Sequence, residues 1–377
     1  MIGPESRDAG DDPSSSERRA ILKLAGLAAL GFSHPAFAQG LCRDGYEQGR
    51  CPLSREIATK AIQPVFAPTG WKTTALESIT FEMENYGKEA AFYVALLGWK
   101  LRSDDGRQAV LDIGDWGSVV FRQVSRGNYS VPPPEGRKIV VTGFALVIEP
   151  WNARQVAAEL EKRGLNPTAD NRGKFESFHV KDPDGWSVQI CNGFGLAGSR
   201  GTANSAALAE PLPFTPTGWH TVWLDHVSFR VNDYKKSASF YANLLGWLPS
   251  YDEGSQNELL IGEVGDILVR GGNPFLPSVP TQHAAYLDHI SFGIAPWDVD
   301  AVKAALLARG LPAAADTSSA HPGPEGKYVR DDIHQAAFQS YHTVTPSGFD
   351  LQISWMTKDK RLALATAVKP KALLPAE

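Results

Sequence analysis

Cysteine is nearly missing from this chain. Three occur among 377 residues, Cys42, Cys51 and Cys191. With no CxxC pair and no Cys/His cluster, a thiolate zinc site is excluded. Long hydrophobic runs are missing too. Beyond residue 40 no apolar stretch approaches the ~20 residues that a spanning helix needs. Excess positive charge is also absent. Lys and Arg number 37 against 42 Asp and Glu, a net charge of −5, so no electrostatic footprint for nucleic acid exists. What remains is 43% hydrophobic and 21% charged, the balance of a soluble globular protein. A single core rarely grows past about 250–300 residues, so two domains are expected.

The first forty residues follow their own pattern. Arg18-Arg19 precede an apolar stretch from Leu24 to Phe32, and Ala36-Phe37-Ala38 follows as a small-x-small site. This order resembles a twin-arginine export signal spanning 1–38. It predicts a periplasmic or secreted mature protein. An oxidising compartment would let Cys42 and Cys51 pair within an N-terminal arm, 39–65. Cys191 follows a strand-like run and reads as a buried core thiol.

Repeats organise the rest. Thr69-Gly70-Trp71 matches Thr217-Gly218-Trp219, an offset of 148 that holds without a gap for thirty residues. It sets Phe92-Tyr93 on Phe240-Tyr241 and Leu96-Leu97-Gly98-Trp99 on Leu244-Leu245-Gly246-Trp247. A second match, offset by 146, sets Pro150-Trp151 on Pro296-Trp297 and Arg163-Gly164-Leu165 on Arg309-Gly310-Leu311. The chain is therefore read as two related domains, 66–195 and 214–357, with a linker at 196–213 and a tail at 358–377.

Each domain divides again. β-type runs at 76–83, 140–148, 224–231 and 287–294 each precede a helical stretch. Lys88, Ala91, Phe92, Ala95 and Leu96 keep a helical period that Gly98 closes. Asn152 and Asp298 are N-cap candidates for helices ending at Gly164 and Gly310. Short strands follow at 108–113, 117–124, 175–181, 186–191, 257–262, 266–270, 337–344 and 349–354. The unit is βαβββ, used four times.

This pattern, with FYxxLLGW in the first helix and Asp182-Pro183-Asp184-Gly185-Trp186 or Thr345-Pro346-Ser347-Gly348-Phe349 before the last strand, resembles the vicinal oxygen chelate superfamily. That superfamily holds glyoxalases, bleomycin-resistance proteins and extradiol dioxygenases. The resemblance implies an α+β fold: four βαβββ modules in two domains, each a cupped mixed sheet. It implies a metal held by first-strand residues and by the last strand, usually through Glu.

Residues 224–229 read LDHVSF and 287–292 read LDHISF. His226 and His289 thus stand on first strands of paired modules, where the resemblance expects ligands. Strand alternation turns Asp225 and Val227 to the other face. The family's Glu position holds Gln352. Gln352 is read either as a neutral ligand or as a buried amide tying strands together. Asp350 shares the face but sits about 6–7 Å along the strand, so it is not placed in the ligand set. The first domain has Ser78 and Gly143 where the second has His226 and His289, and it keeps Gln189 opposite Gln352. The first domain should bind no metal here.

The second domain also carries an insertion, Thr317 to Tyr328, of the kind that forms a lid. Beyond it, the resemblance points to His334 and one of Tyr341 or His342 as substrate-pocket groups. Imidazole suits proton transfer near neutral pH. Three functions stay open. The first is a non-haem Fe(II) extradiol-type dioxygenase acting on a catechol-like small molecule. The second is a glyoxalase- or epimerase-like lyase or isomerase using a divalent metal. The third is a non-catalytic small-molecule binding protein with aromatic walls. Fe(II) is the expected ion, with Mn(II), Zn(II) and Ni(II) as alternatives. The expected partners are a small, aromatic-type substrate and a second copy in a homo-oligomer. Nucleic acid is not expected, nor a membrane span in the mature chain.

Overall fold

The computed structural model describes residues 64–114, 117–193, 195, 207–252, 256–261, 264–271, 285–316, 333–335 and 339–355. The expected export signal at 1–38, the arm with Cys42 and Cys51, the insertion 317–328 and the tail at 358–377 lie outside these residues.

The first half contains β1 (Lys72–Met83), α1 (Tyr86–Leu97), β2 (Lys100–Asp104), β3 (Gln108–Asp112), β4 (Ser118–Gln123), β5 (Ile139–Glu149), α2 (Ala153–Lys162), β6 (Thr168–Ala169), β7 (Ser177–Lys181) and β8 (Ser187–Cys191). The second repeats the series. It runs β9 (His220–Arg230), α3 (Tyr234–Leu245), β10 (Leu248–Asp252), β11 (Gln256–Ile261), β12 (Gly265–Arg270), β13 (Tyr286–Ala295), α4 (Val299–Leu307), β14 (Ala314–Asp316), β15 (Ser340–Val344) and β16 (Asp350–Ser354). Each half forms one eight-stranded mixed sheet, ordered β2-β3-β4-β1-β5-β8-β7-β6 and β10-β11-β12-β9-β13-β16-β15-β14. The βαβββ module therefore occurs four times. The long first strands sit centrally in each sheet, antiparallel to one another. Each is parallel to the last strand of its own module.

The βαβββ unit expects three strands after each helix, and strand-like runs mark two of them in the sequence. The structure adds β2, β6, β10 and β14. All four lie at the outer ends of the sheet order, and runs such as KLRSD carry no apolar alternation to announce them. An edge strand needs only one neighbour and tolerates polar residues.

The helices start and stop where local chemistry directs. Asn85, Asn152, Asp233 and Asp298 accept backbone N–H bonds as N-caps. Gly98 and Gly246 close α1 and α3 in the left-handed region, at φ 66° and 69°. The second helices end slightly earlier than expected, at Lys162 and Leu307, with Gly164 and Gly310 just beyond in positive φ. Among the described residues no helix is long and apolar enough to cross a membrane.

The two halves pack with matching contacts on both sides. Trp99 Nε1 donates to Thr221 Oγ1 at 2.8 Å, and Trp247 Nε1 donates to Thr73 Oγ1 at 2.9 Å. Thr69 N donates to Asn243 O, and Thr217 N to Ala95 O. A Cβ at Gly98 would collide with the Trp219 carbonyl, and one at Gly246 with the Trp71 carbonyl. The turn before each last strand reaches across to the other half's first helix. Tyr241 OH donates to Asp182 Oδ2 at 3.0 Å, and Ser347 N donates to Glu89 Oε2 at 3.1 Å.

Candidate metal centre

Paired residues on neighbouring strands share a face. In the second sheet one row runs His226, Ser291, Gln352, His342. The next runs Ser228, His289, Asp350, Val344. Two residues along a strand preserve the face, so both rows line one polar surface.

On it His226 Nε2 lies 3.1 Å from His289 Nε2, and both rings are buried. Each histidine has a carboxylate behind it. Asp225 Oδ2 is 2.6 Å from His226 Nδ1, and Asp288 Oδ2 is 3.5 Å from His289 Nδ1. Simple alternation turns these aspartates away. The register explains why they are close: Asp225 and Asp288 are each the extra residue of a β-bulge, skipped between Leu224 and His226 and between Leu287 and His289. A bulge re-aims the side chain it carries. The first sheet has bulges at the matching places, with Glu77 and Thr142 as the skipped residues.

The tautomers follow from these partners. Asp225 holds a proton on His226 Nδ1, and the Asp288 carboxylate, 3.5 Å away, favours one on His289 Nδ1; both Nε2 lone pairs then face one another. Two acceptors at 3.1 Å repel unless a cation or proton lies between them. Two nitrogens at about 2.1 Å from one ion and about 90° apart would be ~3.0 Å from each other. The pair therefore fits a divalent metal. Burial, reinforced by the charges of His226, Arg270 and His342, outweighs the Asp288 bond and lowers His289 to about 4. It stays the neutral ring that a metal requires.

His289, His342 and Asp350 form a group able to hold a metal ion, with ligand atoms within 4.8 Å of one another. Asp350 pairs directly with His289 across the parallel strands, and its Oδ1 lies 2.8 Å from His342 Nδ1. The distance along β16 does not remove Asp350 from reach, because His289 is offset by the same step from the His226–Gln352 row. Burial alone would lower His342, but the hydrogen bond to Asp350 and the charges of Asp350, Asp316 and Asp288 raise it. Burial would raise Asp288, yet the bond and charge of His289, with Arg270 and Arg137, bring it well below the usual range.

Gln352 is fully buried. Its Nε2 donates to Ser340 Oγ at 2.7 Å and to Asp316 Oδ2 at 3.1 Å. Gln189 makes the same bond to Ser177 Oγ at 2.8 Å in the first sheet. Gln352 Oε1 is buried without a hydrogen-bond partner among the described residues.

Two remaining candidates lie elsewhere. Tyr341 alternates with His342, faces the helix side, and stacks on Trp297 with ring centroids 6.4 Å apart. His334 sits on a short 3-10 turn, Ile333–Gln335. It is exposed and its Nε2 is 3.1 Å from Asp300 Oδ1 on α4. Neither is brought to the histidine pair. Only His342 of the three lies beside it.

The registers of the two sheets coincide residue for residue. Where the second has His226, His289 and Asp350, the first has Ser78, Gly143 and Ser187. Where the second has Gln352, His342, Ser340 and Asp316, the first keeps Gln189, His179, Ser177 and Asp170. At these seven positions two histidines and one carboxylate distinguish the halves; a second carboxylate residue, Asp266, pairs with His226 where the first sheet pairs Ser118 with Ser78.

The two eight-stranded βαβββ sheets are of the vicinal oxygen chelate fold type. Residues 223–316 match the model of the Glyoxalase/Bleomycin resistance protein/Dioxygenase superfamily, and this domain belongs to it. Solved structures share the fold over 75–76% of this chain. The Mn(II)-bound glyoxalase from Novosphingobium aromaticivorans is 15% identical, with a TM-score of 0.50, covering 75% of this chain and 82% of its own. The 2,3-dioxygenase LapB from Pseudomonas sp. KL28 is 15% identical, with a TM-score of 0.50, covering 75% and 92%. A catechol 2,3-dioxygenase is 13% identical, with a TM-score of 0.51, covering 76% and 89%. No curated protein matches the sequence.

Proposed function

We propose that the second domain holds one divalent metal, Fe(II) by preference, through His226, His289 and Asp350. In this reading the protein is an extradiol-type dioxygenase acting on a small catechol-like molecule. The observation that carries it is a group of differences between two sheets of identical register: His226, His289 and Asp350 share one face and stand where the first sheet has Ser78, Gly143 and Ser187. Two histidines and a carboxylate with open positions suit non-haem Fe(II). When bound, such an ion polarises two vicinal substrate oxygens and lowers the cost of removing their protons.

The chain's own groups do the rest. Asp225 and Asp288 fix the tautomers and aim both Nε2 atoms at one point. His342 holds a proton between its Nδ1 and Asp350 Oδ1, and so orients that carboxylate. Gln352 ties β16 to β15 through Ser340 and offers a neutral oxygen nearby. The twin-arginine leader, if used, would export the protein already folded, which suits a metal acquired beforehand.

Elemental analysis of the purified protein beside His226→Ala, His289→Ala and Asp350→Ala tests the site. Equal metal in all four would sink it. Simple catechols under anaerobic Fe(II) loading then test the reaction. Metal binding without ring cleavage would shift the reading to the lyase, isomerase or binding-protein class.

A further inference from the structure

The first domain lacks both histidines, yet a strap from it crosses the second domain at the metal-bearing strands. The strap lies between β4 and β5. Lys138 N donates to Ser347 O at 2.8 Å. Arg137 Nη1 donates to Leu287 O at 3.1 Å, and its Nη2 is 3.8 Å from Asp288 Oδ1. The Arg137 guanidinium carbon stands 5.5 Å from the centroid of the Phe349 ring. These contacts fall at the starts of two neighbouring parallel strands, β13 and β16. Those strands deliver His289 and Asp350.

We propose that Arg137 is a positioning residue for the metal centre, supplied by the degenerate domain and acting through Asp288 on His289. This rests on the metal-centre reading above. The logic is geometric. Asp288 is a bulged residue, so the sheet ladder does not fix its side chain alone. One of its oxygens faces His289 Nδ1 and the other faces Arg137. The Arg137 side chain is only 15% exposed, and its planar fork bridges a main-chain carbonyl and the carboxylate, a task suited to Arg. The ion pair by itself is long and partly solvated, so it adds little stability. Its consequence is orientation: it sets the angle from which Asp288 holds the imidazole. Arg270 also adds positive charge at Asp288 and His289, but it belongs to the second domain. Arg137 is what makes the first domain part of the site.

The test is a double-mutant cycle on the full chain, read as affinity for Co(II) by competition with a chromophoric chelator. Arg137→Gln should weaken Co(II) binding about tenfold, the lower range for an outer-sphere partner. The melting temperature of the metal-free protein should move little. Arg137→Lys should recover part of the affinity. In an Asp288→Asn background, Arg137→Gln should add no further loss. Unchanged affinity in Arg137→Gln, or the full tenfold loss repeated in Asp288→Asn, would overturn the proposal. Should the Gln variant fold poorly, Arg137→Lys carries the same cycle: a several-fold loss with Asp288 present and none without it. Failure of the unmutated chain to bind Co(II) would instead overturn the metal-centre reading itself.

Discussion

His226 and His289 present their Nε2 atoms to each other at 3.1 Å, each with a carboxylate at Nδ1. The two aspartates come from bulges next to the very histidines they orient. Sequence LDH, written twice, therefore places a histidine and the carboxylate beside its Nδ1 together.

Removing the supports should weaken the metal without emptying the site. Asp225→Asn keeps shape but loses the charge that holds the Nδ1 proton. We expect Asp225→Asn and Asp288→Asn each to lower metal affinity about 10–100-fold. Metal titration monitored by isothermal calorimetry measures this. Affinity equal to that of the unmutated chain would show that tautomer control plays no part.

Gln352 should matter to stability more than to metal. Its amide satisfies Ser340 and Asp316 in a fully buried place. Gln352→Ala should cost about 1–3 kcal/mol in urea unfolding, the penalty of leaving buried partners unpaired. The metal content should stay near one per chain. Loss of metal with unchanged stability would reverse the assignment and make Gln352 a ligand.

Two buried carboxyls at the interface set a pH dependence. Burial pushes Glu89 up to about 7, against the bonds from Thr345 and Ser347. Burial pushes Asp182 up to about 7 as well, with Asp184 adding to it and Trp186 and Tyr241 opposing. Both folded values lie above the unfolded ones, so the folded chain binds more protons between them. Their contribution is complete below about pH 4 and is lost as the pH rises through about 7. Each is worth on the order of 3 kcal/mol. Stability should fall between about pH 4 and about pH 7 and level off above it, and Glu89→Gln and Asp182→Asn should each flatten the fall. A profile of unchanged slope in both variants would remove these groups from the account.

Gly98 and Gly246 should resist substitution more than Gly164, a positive-φ glycine with open space around it. Gly98→Ala or Gly246→Ala adds the strain of a left-handed backbone to a clash with the facing Trp219 or Trp71 carbonyl. Gly164→Ala carries the same φ strain, at 71°, with nothing within 4 Å. The interface pair should lose clearly more than the ~1 kcal/mol expected of Gly164→Ala. Thermal melts of the three variants side by side decide it.

Much of the fold was legible because it is repeated. The offsets that align FYxxLLGW and the Pro-Trp pairs also predict the modules, since equivalent residues meet equivalent packing. The edge strands were not legible, because exposed polar runs leave no period. At the site, the comparison of His226 with Ser78 and of His289 with Gly143 was within reach. Extending it to Asp350 and Ser187 would have brought out the carboxylate. The aspartates before each histidine were hidden by the assumption of regular alternation, which a bulge breaks. Arg137 could not be read from sequence at all. It lies 151 positions from Asp288, and only the packing of the two halves brings them together.

The coincidence of registers between the sheets has a stoichiometric consequence. One half has Ser78, Gly143 and Ser187 at the proposed ligand positions and keeps the strand ties that hold the shape. On the proposed reading each chain carries, among the described residues, a single centre of this kind, whatever its assembly state. An assembly of n chains would saturate at n ions, half the number of its sheets, and every ion would sit beside a built-in, metal-free reference of the same design.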